Sequence, residues 1–198
     1  MNWLLFVFVL TIVIVFTTPT YRHPRVQINA ISHEECDYIR EKALPLLKDS
    51  TLGDTRHIDK SERKSESTFL DFERDHKLKE IILRFVKPEH VNRCENFQVV
   101  RYKPGGFYRP HQDADCKHEN KRVSTIMFAL NDDYEGGSTS FPVLGKTYKL
   151  SKGHALEFDT LDTRGRMNKK ALHGGTPVIS GEKWICTLWI RESKWRGR

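Results

Sequence analysis

Cysteine is scarce, with four in 198 residues, and no two form a Cys-x-x-Cys pair, so a structural zinc site is not expected. Cys36, Cys94, Cys116 and Cys186 allow three pairings, and their spacing imposes none of them. Cys186 falls in a strand-like run and reads as a small buried hydrophobe. Internal repeats and low-complexity tracts are absent, which excludes solenoids and disordered scaffolds. The formal charge of +7 is not gathered in one run. It reads as a solvated basic surface, and nucleic acid is not an expected partner. The length suits one domain of ordinary size with a real core.

Charge is also missing from the amino terminus, where Trp3 to Phe16 is apolar apart from Thr11. As a helix, Met1–Thr18 would reach about 27 Å, slightly short of a bilayer core of roughly 30 Å. A buried core helix would need a polar face, which this run does not have. No basic n-region precedes it and no Ala-x-Ala-like site follows. We therefore expect residues 1–20 to be a signal anchor or a signal peptide, with the uncleaved anchor favoured, and residues 21–198 to form the globular domain. Arg22 and Arg25 follow the apolar run, which by charge alone would leave that domain in the cytosol.

Ser32-His-Glu-Glu35 has the form of a capping box, and the residues after it carry apolar side chains at helical spacing, predicting a helix closed near Asp49. A second amphipathic helix is predicted over Asp75–Val86, ending before Pro88. Between them, 53–66 is polar and reads as a loop. From Phe97 the pattern changes to short runs rich in Val, Ile, Thr and aromatics. Strands are expected at 97–102, 107–112, 123–130, 138–142, 147–150, 154–159, 172–179 and 183–191. About eight antiparallel strands suit two packed sheets of the jelly-roll kind.

His111 and Asp113 stand two apart, so on a strand they project to the same face and can offer an imidazole nitrogen and a carboxylate oxygen to one ion. His173 would complete a facial triad of two histidines and one carboxylate, the donor set of non-heme Fe(II) oxygenases. Their surroundings are Glu95-Asn-Phe-Gln-Val-Val-Arg-Tyr-Lys-Pro-Gly-Gly-Phe-Tyr-Arg-Pro-His-Gln-Asp113, then Arg122-Val-Ser-Thr-Ile-Met-Phe-Ala-Leu-Asn131, Gly136-Gly-Ser-Thr-Ser-Phe-Pro142 and His173-Gly-Gly-Thr-Pro-Val-Ile-Ser-Gly-Glu-Lys-Trp184. Over residues 30 to 192 the chain resembles the catalytic domain of the prolyl 4-hydroxylases, among the 2-oxoglutarate and Fe(II) dependent dioxygenases.

The resemblance implies an α+β, mainly β fold: a double-stranded β-helix (jelly roll) with amino-terminal buttressing helices. It implies His111, Asp113 and His173 as metal ligands and catalytic centre. Lys183 would pair with the distal carboxylate of 2-oxoglutarate, with the hydroxyls of Tyr102 and Thr125 as further cosubstrate contacts. The implied reaction uses O2 to turn 2-oxoglutarate into succinate and CO2 while hydroxylating a peptidyl proline, as in procollagen-proline 4-dioxygenases. Ascorbate is the expected reductant. Family members with membrane or secretory segments also imply a lumenal site in the endoplasmic reticulum, against the charge rule.

A proline-containing peptide in polyproline II form is the expected partner, with the loop around 53–68 as lid and Arg63, Ser65 and Tyr108 as peptide contacts. Strand alternation puts Lys183, Ile185, Thr187 and Trp189 on one face, so Thr187 and Trp189 are expected to line the pocket. Asp133-Tyr-Glu-Gly-Gly137 has some likeness to lysyl hydroxylases, leaving a lysine or other substrate as one alternative. A membrane-tethered binding module without turnover is the other. Thr176 departs from the family, many members of which have cysteine there.

Overall fold

In the computed structural model, residues 20–52, 57–114 and 119–195 are described. The expected anchor lies outside them up to residue 19. No helix among the described residues is long and apolar enough to cross a membrane. The elements in chain order are β1 (Arg25–Gln27), α1 (His33–Ala43), β2 (Lys48–Asp49), β3 (Arg63–Lys64), β4 (Glu66–Leu70), α2 (His76–Leu83), β5 (Phe97–Tyr102), β6 (Phe107–His111), β7 (Arg122–Ala129), β8 (Glu135–Gly136), β9 (Thr139–Phe141), β10 (Lys146–Tyr148), β11 (Ala155–Asp159), β12 (His173–Gly175), β13 (Val178–Ser180) and β14 (Lys183–Arg191).

Seven strands form the larger antiparallel sheet in the order β1-β11-β7-β14-β5-β4-β2. Five form the smaller one, β10-β9-β12-β6-β3, and β13 pairs with β8 as a separate ribbon. This is the double-stranded β-helix expected from the resemblance. Its centre is β14, whose side chains are buried on both faces. Cys186 and Leu188 join Phe97, Val99, Ile126 and Phe128 in a core closed by Ile39 of α1 and by Leu78, Ile81 and Ile82 of α2. Full burial of each such side chain contributes roughly 1.5–3 kcal/mol. The opposite face of β14 looks into the space between the sheets.

Both helices begin where their caps require. Ser32 accepts from the Glu35 amide while Glu35 accepts from the Ser32 amide, the reciprocal box, and Asp75 accepts from the amides of Lys77 and Leu78. Both also end earlier than periodicity suggests. Pro45 cannot continue α1, so a short 3-10 turn over Leu44–Leu46 follows and Lys48–Asp49 become a strand.

Two sequence readings need correction. The polar stretch read as a loop contains β3 and leads straight into β4, which pairs with β5 over Glu66 to Leu70. The lid read over 53–68 is therefore strand-bound from Arg63 on, while residues 53–56 lie outside the described ones. The strand expected at 172–179 is two strands in different sheets, β12 and β13. Pro177 separates them because it has no amide to give a ladder. The Pro177 carbonyl instead accepts from the Gly137 amide. Gly136 has φ +68°, and a Cβ there would lie 2.5 Å from the Pro177 oxygen, so that turn admits only glycine.

Candidate active site

His111 ends β6 and His173 begins β12, and the two are direct partners across the smaller sheet. Asp113 lies just past β6. Its carboxylate oxygens are 3.6 Å from His111 Nε2 and 3.8 Å from His173 Nε2, and the three donor atoms lie within 4.8 Å of one another. The far nitrogens decide the tautomers. His111 Nδ1 donates to the Arg109 carbonyl at 2.9 Å and His173 Nδ1 to the Ala171 carbonyl at 3.0 Å. A carbonyl only accepts, so each Nδ1 carries a proton, and in the neutral ring each Nε2 presents a lone pair to the space beside Asp113. Asp113 and His173 are buried; His111 is partly exposed.

The Asp113 carboxylate is held firmly. Thr125 Oγ1 and Trp189 Nε1 both donate to its Oδ2, at 2.7 and 3.0 Å, while Oδ1 accepts no hydrogen bond among the described residues. Burial would raise this carboxyl, but His173, His111, Arg122 and the Thr125 hydrogen bond hold it below the usual carboxylate range. Burial, then repulsion from His173, lowers the affinity of the His111 imidazole for a second proton. A donor set of two imidazoles and one carboxylate on adjoining strand ends fits a divalent iron.

Between the sheets is a cavity of about 280 Å³, reached by His111, Asp113, His173, Tyr102, Lys183, Ile185, Thr187 and Trp189 as the alternation of β14 requires. Lys183 is 4% exposed, pairs across strands with Tyr102, and has its Nζ 5.5 Å from the centre of the Tyr102 ring. Among the described residues it has no carboxylate partner. Burial pulls its ammonium down to about 8. A buried, unpaired lysine is costly, and a dianionic ligand in the same cavity supplies the missing charge.

Thr125 sits elsewhere than expected: fully buried on β7, it spends its hydroxyl on Asp113 and does not reach the cavity. Ser65 does not line the cavity either. Its hydroxyl donates to Ser50 and accepts from Arg63 Nε, both at 2.8 Å, because it faces a neighbouring surface depression. Arg63 does line the cavity, buried, with its guanidinium 4.6 Å over the ring of Tyr108, which stacks on His111 at 3.7 Å. Trp189 lines the cavity and holds the Asp113 carboxylate. Behind it, Arg122 lies 3.6 Å over its indole and is paired with Glu95, which also accepts from Arg191. That cluster was not read from the sequence, since only strand register brings Glu95, Arg122 and Arg191 together.

The profile of the 2OG-Fe(II) oxygenase superfamily matches residues 97–191, the stretch that carries all three candidate ligands and Lys183. Prolyl 4-hydroxylase 1 of Arabidopsis thaliana is 34% identical over 196 residues, covering 85% of this chain and 69% of the relative. A putative prolyl 4-hydroxylase of Acanthamoeba polyphaga mimivirus is 33% identical, covering 88% and 76%. The chain belongs to the prolyl 4-hydroxylase family. The crystal structure of a collagen prolyl hydroxylase from Paramecium bursaria Chlorella virus 1, in complex with 2-oxoglutarate, superposes with a TM-score of 0.71 at 29% identity, covering 87% of this chain and 97% of that one.

As a prolyl 4-hydroxylase, the chain is a dioxygenase that uses Fe(II), 2-oxoglutarate and O2, with ascorbate as reductant, on proline in a peptide chain. Its departure at Thr176 has a structural use: the hydroxyl donates to the Ser138 carbonyl at 3.2 Å. Cys36, Cys94 and Cys186 are buried free thiols, and Cys116 lies outside the described residues.

Proposed function

We propose that His111, Asp113 and His173 are the ligands of the catalytic Fe(II), and that Lys183 and Tyr102 bind the distal carboxylate of 2-oxoglutarate. The observation that carries this reading is the buried, unpaired Lys183 in the same cavity as a triad whose two Nε2 atoms and one carboxylate oxygen are left free. Iron with 2-oxoglutarate and O2 supplies the oxidative decarboxylation and the hydroxylation of an unactivated C–H bond. The protein positions and shields. Lys183 and Tyr102 fix the cosubstrate at the closed end, and Val100 and Ile185 give it an apolar wall that excludes water. Thr125 and Trp189 hold Asp113 Oδ2 so that the carboxylate binds through Oδ1. Tyr108, Arg63 and Trp189 line the same cavity, and we assign them to the peptide.

The substrate we propose is a collagen-like or other proline-rich chain, with lumenal placement through residues 1–20 as an uncleaved anchor. The apolar run supports the anchor, and Thr20 onward belonging to the folded domain supports a boundary just before it. A peptide array assayed by mass spectrometry tests the substrate, with His111→Ala as control. Hydroxyproline in the wild-type reaction and none in the control is expected, whereas hydroxylated lysine beside untouched proline would sink the assignment. Protease protection in sealed microsomes tests topology: a digested domain would place it in the cytosol.

A further inference from the structure

Phe69 is a large apolar side chain that the fold leaves 52% exposed on β4. Its neighbour Leu70 turns into the core beside Phe97, while Phe69 points the other way and lines the outer part of the cavity. It is not isolated there. Cross-strand pairing sets Phe69 opposite Gln98 on β5, Gln98 opposite Thr187 on β14, and Thr187 opposite Met127 on β7. All four line the same cavity as His111, Asp113 and His173, so one row of side chains runs across its wall out to Phe69. Gln98 is half-buried and its carboxamide has no hydrogen-bond partner among the described residues. Such a group can donate to the backbone carbonyl of a chain whose prolines have no amide to offer.

From this row we infer that Phe69 is a specificity residue for the peptide, packing on an apolar ring three positions from the proline that is hydroxylated. The inference rests on the peptidyl-proline reading above. The spacing comes from two independent lengths. Thr187 stands two residues along β14 from Trp189, which holds Asp113, and with the reacting proline over Thr187, Phe69 is two strands away, about 10 Å at roughly 4.8 Å per strand. A polyproline II chain rises about 3.1 Å per residue with three residues per turn. Three residues therefore cover the distance and return a side chain to the same face. A chain with proline at every third position would meet Phe69 with a ring, and one with a small polar residue there would leave the phenyl uncovered.

The test compares two short peptides of equal length, each scored for hydroxylation at one central proline, differing only in whether the positions three residues before and after it are proline or serine. Hydroxylation is localised by mass spectrometry for the wild type, Phe69→Ala and, as a remote control, Ile179→Ala, which alters an exposed side chain on β13. The expected result is a KM about tenfold higher for the proline-flanked peptide in Phe69→Ala. In that variant kcat, the KM for the serine-flanked peptide and peptide-independent succinate formation should stay within about twofold of wild type. A KM unchanged for the proline-flanked peptide, or raised equally for both, would overturn the assignment. Wild-type enzyme that forms succinate but hydroxylates neither peptide would overturn the substrate reading, and the Phe69 inference with it, which is distinguishable from a failure confined to Phe69→Ala.

Discussion

The cosubstrate role proposed for Lys183 makes the physics of one buried side chain measurable. Burial lowers its ammonium from 10.5 to about 8, so below pH 8 it is charged and able to hold a carboxylate, and above it becomes a neutral amine. Affinity for 2-oxoglutarate, measured by calorimetry, is expected to weaken by about tenfold per pH unit above that point. Lys183→Arg stays charged and should remove this pH dependence even if the longer group binds less well. Linkage gives the matching sign for stability. The unfolded lysine keeps its proton to about 10.5, so between pH 8 and 10.5 the unfolded state holds more protons and the ligand-free fold gains stability as pH rises. At Asp113 the argument concerns orientation. Trp189→Phe removes one of the two donors on Oδ2 and should weaken apparent Fe(II) affinity about 10- to 100-fold in an activity titration. An unchanged titration would mean that Thr125 alone suffices.

At the scale of elements, the decisive contact is between β6 and β12, which sets His111 against His173. Gly174 permits it: a Cβ there would lie 2.8 Å from the Tyr108 carbonyl and 3.0 Å from the Pro110 nitrogen. Gly174→Ala must therefore push β12 off β6, and overpacking of this kind costs about 1–3 kcal/mol. The melting temperature should fall, and Fe(II) affinity should fall with it because the two imidazoles part. The juxtaposition of the candidate residues is legible in the sequence, because the spacing of His111 and Asp113 and the alternation of β14 depend on local order and a period of two. The misreadings share another cause. β3 and β4 are polar edge or cavity-facing strands, so they carry no hydrophobic alternation, and Thr125 was placed on the right strand but given the wrong partner. That partner follows from register, since Thr125 lies opposite Trp189 and beside Asp113, which no spacing in the chain displays.

At the scale of the whole molecule, the amino-terminal strap ties the edge of the larger sheet to the aromatic wall behind His173. β1 covers β11 through Arg25 opposite Glu157, Val26 opposite Leu156 and Gln27 opposite Ala155. Arg22 grips Asp159 with two hydrogen bonds, Arg25 and Gln27 converge on Glu157, and the Thr20 amide donates to Thr163 Oγ1. The exposed ion pairs contribute little by themselves. The packing behind them matters more. Tyr21 and Tyr148 lie against the cluster of Phe141, Leu156 and Phe158, and Phe141 and Phe158 bracket the His173 ring at 5.5 and 4.7 Å. Deletion of residues 1–19 should therefore leave melting temperature and Fe(II) affinity within error of the full chain. Deletion of residues 1–27 uncovers the β11 edge and removes Tyr21 from the wall behind His173. It should lower the melting temperature, promote self-association through the freed edge and weaken iron binding. Equal behaviour of the two truncations in thermal denaturation and metal titration would show that the strap is a passive tether and that His173 is seated by the sheets alone.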